Sequence, residues 1–122
     1  MRQIDFVLLY VDSPAKSAAF YETLLGRAPI EASPTFVMFD MPSGVKLGLW
    51  SRHGVEPSAT PPGGHEIAFV VADAASVAAT HAEWRGRGLA IAQPPVRMDF
   101  GDTFVALDPD GHRLRVFAPA EG

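Results

Sequence analysis

The hydrophobic residues of this chain fall into short runs, and each run ends at polar, proline or glycine residues. The first run, residues 4–11, is apolar almost throughout, so we predict a strand whose two faces are both covered. Asp12-Ser13-Pro14 predicts the start of a helix, because a capping side chain precedes a proline at the first helical position. Apolar residues recur with a helical period as far as Leu25, and Gly26 is expected to end the helix.

Shorter apolar runs predict further strands, which are expected at residues 36–39, 45–50, 66–71, 90–92 and 103–107. Asp73 predicts the cap of a second helix that runs to about Arg85. The Pro94-Pro95 pair is expected to separate the strand at residues 90–92 from the one at residues 103–107. Residues 51–64 carry three prolines and three glycines without periodicity, which predicts a linker.

Near the C-terminus, Asp108-Pro109-Asp110-Gly111 predicts a tight turn, because proline presets φ, aspartate caps its own backbone and glycine supplies a left-handed residue. The residues after this turn alternate with a period of two. We therefore predict a strand with Arg113, Arg115 and Phe117 on one face. Leu114 and Val116 are expected on the other.

The chain contains an internal repeat, since residues 40–44 and 46–50 are echoed by residues 108–111 and 113–117. This repeat predicts an α+β fold of two βαβββ modules, whose half-sheets can curl around a shared cleft. Module 1 covers about residues 1–51, the linker 52–64, and module 2 about 65–119. Each half alone is too small for a stable core, which argues against two independent units.

Composition excludes several classes of protein. A net charge of −4 without a long basic run argues against a nucleic-acid binder. The lack of cysteine excludes disulfides and thiolate zinc sites. No apolar run approaches about 18 residues, so no membrane span is predicted. The N-terminus shows no signal-type apolar core, and a cytoplasmic protein is expected.

Several motifs together resemble those of one known family. They are Tyr10-Val11-Asp12, Lys16-Ser17-Ala18-Ala19-Phe20-Tyr21, Leu24-Leu25-Gly26, Glu66-Ile67-Ala68-Phe69-Val70-Val71 and Asp108-Pro109-Asp110-Gly111. In combination they resemble the vicinal oxygen chelate superfamily of glyoxalase, bleomycin-resistance and extradiol-dioxygenase proteins, and the resemblance covers nearly the whole chain. It implies paired modules in a cupped mixed sheet around one cavity, and a homodimer. Whether the modules pair within one chain or across the dimer stays open.

The resemblance also places the four metal-ligand positions of the family's metalloenzymes, at Phe6, Gly48, Glu66 and Arg115. Phenylalanine and glycine offer no donor, arginine would repel a cation, and one carboxylate does not hold a catalytic metal. We therefore predict no metal and no other cofactor. A one-residue shift of the alignment would instead present His65 and Asp5, while His53, His81 and His112 are expected at the surface.

Aromatic residues take the place of the metal ligands in this interpretation. The ligand-binding residues are predicted to be Trp50, Phe6, Leu8, Phe36, Met38, Gly48, Glu66, Asp99, Phe100 and Arg115. Gly48 would leave room beside Trp50 for a flat ring. Arg115 would either pair with Glu66 or hold a ligand carboxylate with two hydrogen bonds. A loop at residues 96–102 would bring Asp99 and Phe100 over the cavity.

Within the family, residues 46–51 and 97–104 are most similar to metal-free antibiotic-resistance members that bind planar drugs such as phenazines. The leading hypothesis is therefore a binding protein that sequesters a small planar aromatic compound. The alternative is a metal-dependent lyase or dioxygenase of glyoxalase type, which would use His65, Glu66 and Asp5. A third hypothesis is a metal-free isomerase or hydrolase with Glu66 as its general base.

Overall fold

The chain divides into two compact units, Met1–Pro61 and Pro62–Gly122, in a computed structural model that describes residues 1–120. The division falls inside the predicted linker. Each unit holds one helix and four strands in the order βαβββ, which confirms the predicted fold class. The first unit contains β1 (Phe6–Val11), α1 (Pro14–Leu25), β2 (Glu31–Ala32), β3 (Phe36–Asp40) and β4 (Lys46–Ser51). The second contains β5 (Glu66–Val70), α2 (Ala74–Gly86), β6 (Ala90–Met98), β7 (Gly101–Leu107) and β8 (Arg113–Pro119).

Local signals set the start of both helices and the end of α1, as predicted. The Ser13 side chain caps α1 by accepting a hydrogen bond from the backbone N–H of Lys16, and Pro14 is the first helical residue. Gly26 ends α1 in the left-handed conformation at φ +70°. Asp73 caps α2 in the same way as Ser13 caps α1, with Ser76 as the donor. Neither helix is both long and apolar enough to cross a bilayer.

The first sheet has the strand order β1-β4-β3-β2, with β1 parallel to β4 and the other pairs antiparallel. Helix α1 packs against β3 and β4, so only one face of the sheet is covered. Leu9 and Val11 of β1 are fully buried, whereas Phe6, Leu8 and Tyr10 are 37–46% exposed. The prediction that both faces of β1 are covered is therefore wrong within this chain. Both faces of the strand carry apolar side chains, but the helix covers only one of them.

The second sheet repeats this plan in the order β5-β8-β7-β6, with α2 against β6, β7 and β8. Trp84 of α2 is 5% exposed, and its ring lies 5.5 Å from that of Phe104. On β8, Leu114 and Val116 are buried while Arg113 is exposed, which confirms the predicted alternation.

The prediction of a break at Pro94-Pro95 is wrong, because β6 continues through both prolines. Its register with β7 shifts between Ile91 and Gln93 and again between Gln93 and Val96. β6 also lies at the edge of the sheet. A proline lacks the N–H that an inner strand must donate, and edge strands with irregular register accommodate it.

The turn between β7 and β8 forms as predicted. Asp108 Oδ1 accepts hydrogen bonds from the backbone N–H groups of Asp110 and His112 at 2.9 and 2.8 Å, and Gly111 adopts φ +93°. His112 was expected at the surface but is only 5% exposed. The expectation also fails in part for His81, which is half-buried with its ring 5.3 Å from Phe104. His53 is exposed, as predicted.

Candidate ligand-binding site

An apolar groove of about 300 Å³ lies on the face of the first sheet that α1 leaves open. Its lining consists of Phe6, Leu8, Phe36 and Trp50, all of which were predicted as binding residues. Strand pairing brings them together. Leu8 of β1 and Met38 of β3 both pair with Gly48, and Phe36 pairs with Trp50. Because alternate residues of a strand share a face, these side chains project from the same side of the sheet.

Trp50 is half-buried at one end of the groove. The Tyr10 ring stands against it edge-on, with ring centroids 6.3 Å apart. Edge-to-face contacts of this kind are favourable, because the positive edge of one ring meets the negative face of another. Tyr10 thus helps to fix the orientation of the indole, and Trp50 remains partly accessible to a ligand.

Gly48 has a different role from the predicted one. A Cβ atom at this position would lie 2.6 Å from Leu8 Cδ2 and 2.9 Å from two ring atoms of Phe36. The space over Gly48 is therefore filled by Leu8 and Phe36, and it does not stand open for a flat ligand. Glycine is needed here so that these two side chains can pack across β4 and form the base of the groove.

Lys46 lies beside the groove, and the sequence analysis gave it no role in binding. Its Nζ lies 5.7 Å from the centroid of the Phe6 ring, at the end of the groove away from Trp50. The signal was present in the sequence, since Lys46 shares the strand and the alternation of Gly48 and Trp50. The Lys46 ammonium makes a cation–π contact with the Phe6 ring, so it places a positive charge next to this apolar surface.

In the second unit, the structure pairs the predicted residues Arg115 and Glu66. Arg115 Nε donates to Glu66 Oε1 and Nη2 donates to Glu66 Oε2, both at 2.8 Å. Nη1 donates to Thr103 Oγ1 at 3.1 Å and to Gln93 Oε1 at 3.4 Å. The Arg115 side chain is 18% exposed and that of Glu66 is 29% exposed. The sequence did not point to Thr103 or Gln93, because they reach Arg115 only through the pairing of β6, β7 and β8.

This pairing shifts the pKa of both groups. The hydrogen bonds from Arg115 hold the pKa of Glu66 below its ordinary value, and partial burial opposes this effect only in part. The bonds to Glu66 likewise raise the pKa of Arg115. Both groups therefore stay charged at neutral pH. Glu66 is a poor general base, because a carboxylate stabilised in its ionised form has little affinity for a proton.

This geometry shows one of the two contacts predicted for Arg115, the pairing with Glu66. A two-pronged grip on a ligand carboxylate needs two parallel N–H groups of the guanidinium, and Glu66 already uses the Nε and Nη2 edge. Arg115 therefore forms a structural ion pair. Its guanidinium carbon also lies 5.7 Å from the centroid of the Phe100 ring, which stands edge-on to Phe117.

Asp99 and Phe100 do not lie in a loop of residues 96–102 as predicted. Residues 96–98 belong to β6 and residues 101–102 to β7, so Asp99 and Phe100 form a two-residue hairpin turn. Gly101 follows this turn at φ +141°, a conformation that favours glycine. Phe100 is 39% exposed beside Arg115.

The residues at the family's metal positions do not fit a divalent cation. Phe6 and Gly48 have no donor atoms, and both carboxylate oxygens of Glu66 accept hydrogen bonds from a guanidinium. The alternative residues have other contacts: the His65 ring lies 5.9 Å from that of His112, and Asp5 accepts a hydrogen bond from Gln3. Among residues 1–120, no group of three or more His, Asp or Glu side chains could hold a metal ion.

Comparison with known proteins agrees with this fold. Over 112 residues, the chain is 30% identical to the phenazine antibiotic resistance protein EhpR of Enterobacter agglomerans, which covers 89% of this chain and 86% of that protein. The solution structure of protein ATC0852 from Agrobacterium tumefaciens is 53% identical and superposes with a TM-score of 0.92 over 99% of this chain and 100% of that one. A glyoxalase-related enzyme from Fulvimarina pelagi, at 23% identity, shares the fold with a TM-score of 0.83 over 97% of this chain and 88% of that one.

The family assignment rests on nearly the full length of the chain. Residues 3–116 match the sequence model of a single family. The βαβββ order of both units and the similarity to EhpR agree with that match. The chain therefore belongs to the Glyoxalase/Bleomycin resistance protein/Dioxygenase superfamily.

Proposed function

We propose that this protein binds a small planar aromatic compound in the groove of its first sheet and sequesters it without chemical change. The observation that carries the proposal is the groove itself, in which Phe6, Leu8, Phe36 and Trp50 present an exposed apolar surface. Soluble proteins leave such surfaces open mainly where something binds. The groove volume of about 300 Å³ is at the lower end of the range for small-molecule sites.

The chemistry of the lining favours a flat ring. Two aromatic side chains, Trp50 and Phe36, lie on neighbouring strands in the same register. Offset stacking on an aromatic face contributes roughly 0.5–1.5 kcal/mol beyond the burial of apolar area. A planar ligand would thus gain both stacking on Trp50 and removal of its faces from water, whereas a bulky aliphatic ligand would gain only the latter.

The lining also favours binding over catalysis. None of the four lining side chains can act as a nucleophile, a general base or a metal ligand. Sequestration needs only an apolar surface and shape complementarity. EhpR, which is 30% identical to this chain, is named as a phenazine antibiotic resistance protein, and this supports a phenazine-like compound as the first ligand to test.

Isothermal titration calorimetry with phenazine tests the proposal. Trp50→Ala removes the stacking surface, and we expect it to weaken binding roughly tenfold or more, because both stacking and apolar contact area are lost. Trp84→Phe is the matched control, since Trp84 is the chain's other tryptophan and is buried against Phe104. It should leave the affinity unchanged.

The proposal fails if phenazine and other planar compounds do not bind the wild-type protein. It also fails if Trp50→Ala binds them as tightly as the wild type while remaining folded by circular dichroism.

A further inference from the structure

Beyond the Trp50 end of the groove, three exposed side chains form a cluster that we call the Asp12 clasp. Asp12 follows the last residue of β1, and Arg52 and His53 follow the last residue of β4. His53 Nε2 lies 2.7 Å from Asp12 Oδ1, and Arg52 Nη2 lies 3.4 Å from the same oxygen. The clasp therefore joins the C-terminal ends of two parallel, neighbouring strands of the first sheet.

A series of contacts between β1 and β4 connects the clasp to Trp50. Tyr10 and Trp50 are register partners on these strands, and their rings meet edge-on. One residue further along, Val11 pairs with Ser51, and the backbone N–H of Arg52 donates to the carbonyl oxygen of Val11 at 2.8 Å. The clasp is the next contact in this series. If the strand ends separated there, Trp50 would move away from Tyr10, and its indole would lose the neighbour that fixes its orientation.

The strength of the clasp depends on the protonation of His53. The hydrogen bond with His53 and the charge of Arg52 hold the pKa of Asp12 below its ordinary value, so this carboxylate is ionised at neutral pH. An ionised carboxylate only accepts hydrogen bonds, and His53 therefore donates to it from Nε2. Histidine is the side chain that ordinarily gains a proton between pH 8 and pH 5. Protonation would make this bond charge-assisted, and such bonds are about twice as strong as neutral ones.

Other charges near the clasp and its exposure to water limit this effect. Arg52 shares Asp12 Oδ1 with His53, so a protonated His53 ring would meet a second cation there. Lys16 of α1 also acts on the charge of Asp12. The side chains of His53 and Asp12 are both 60% exposed, and water and salt screen an ion pair at such a position. The expected change in ligand affinity is therefore about two- to fivefold.

We propose that Asp12 and His53 position Trp50 for ligand binding, and that protonation of His53 tightens the clasp and raises the affinity of the groove. This inference rests on the proposed function and adds a pH dependence to it. Asp12 and His53 are positioning residues, because they act on the ligand only through Trp50. The four side chains that line the groove carry no ionisable group, so a pH dependence of binding must come from residues outside the lining.

Calorimetric titration with phenazine at pH 6 and pH 8 tests the inference, because this uncharged ligand is not itself attracted by an added charge. The wild type should bind about two- to fivefold more tightly at pH 6. Asp12→Asn and His53→Gln should bind at both pH values as weakly as the wild type at pH 8. His53→Lys is charged at both pH values and should restore the tighter binding at pH 8. His65→Gln changes an exposed histidine of the second unit, and as the matched control it should keep the pH dependence of the wild type.

The outcomes separate the two proposals. If phenazine binds the wild type equally at pH 6 and pH 8, the inference is overturned and the proposed function stands. A pH dependence that persists in His53→Gln also overturns the inference, because another group would then be responsible. If phenazine binds the wild type at neither pH, both proposals are overturned.

Discussion

The ion pair between Glu66 and Arg115 is the feature of the second unit whose energetic effect can be worked out most directly. Glu66→Gln keeps the shape of the side chain but removes its charge, and it leaves one amide oxygen to accept a hydrogen bond. A hydrogen bond to a charged group contributes about 1.5–3 kcal/mol when it is shielded from water. Because the two side chains are 29% and 18% exposed, solvent screening reduces this value. We expect the variant to lose about 1–2 kcal/mol of unfolding free energy.

Urea unfolding at pH 7, followed by circular dichroism, measures this loss. Glu83→Gln is the matched control, because Glu83 pairs with Arg87 on the surface of α2 at 3.5 Å. An exposed pair of this kind is worth less than about 0.5 kcal/mol. A double-mutant cycle with Arg115→Met then isolates the coupling between Glu66 and Arg115 from other effects of each change.

The effect should depend on pH in a defined direction. Since the pKa of Glu66 in the folded protein lies below its ordinary value of 4.5, its stabilising contribution is complete above that value. The contribution is lost as the pH falls through the lowered, folded-state pKa. The difference between wild type and Glu66→Gln should therefore shrink on acidification. A Glu66→Gln variant that is no less stable at pH 7 than Glu83→Gln would contradict a stabilising ion pair, and so would a difference from wild type that grows as the pH is lowered.

Two glycines allow further predictions for stability, both measured by urea unfolding. Gly48→Ala would place a Cβ 2.6 Å from Leu8 Cδ2, and the side chain must move, so we expect a cost of about 1–3 kcal/mol together with weaker phenazine binding. Gly101→Ala would place its Cβ against the backbone carbonyl oxygen of Ala118, at a positive φ. Because a backbone group cannot move aside as a side chain can, we expect this variant to lose more than about 3 kcal/mol of unfolding free energy. Gly64→Ala, which meets nothing within 4 Å, is the control and should cost less than about 0.5 kcal/mol. Equal stability of all three variants would contradict the packing described at both sites.

The sequence predicted those features whose cause is local. Ser13 and Asp73 cap their helices, Gly26 ends the first one, and Asp108 holds its turn, because each acts on backbone groups within a few residues. The internal repeat in the sequence predicted the βαβββ order that both units show. The predicted homodimer depends on surfaces of a second copy, and it stays a prediction.

The sequence was misleading wherever tertiary neighbours decide the outcome. Residues 4–11 are apolar on both faces, and no sequence pattern shows that a helix covers only one of them. Prolines normally interrupt strands, but Pro94 and Pro95 lie in an edge strand whose register is irregular, and such a strand accommodates them. His112 is buried by residues from other elements, which its place in a polar turn conceals.

Four of the ten predicted binding residues line the groove, and their role in binding a ligand stays a prediction. Alternation along β1, β3 and β4 correctly placed Phe6, Leu8, Phe36 and Trp50 on one face. It did not show that Leu8 and Phe36 fill the space over Gly48, because that contact depends on the register of three strands. For the same reason, the Thr103 and Gln93 contacts of Arg115 appeared only in the structure.

Nuclear magnetic resonance of the tryptophan indoles tests the central claim most directly. The chain has two tryptophans, so a ¹⁵N–¹H correlation spectrum should show two indole N–H signals, which Trp84→Phe assigns. A planar ring stacked in the groove should shift the Trp50 signal on titration with phenazine, while the signal of Trp84, which is 5% exposed and packed against Phe104, should stay in place. A titration in which phenazine binds but leaves the Trp50 signal unmoved would contradict the proposed site.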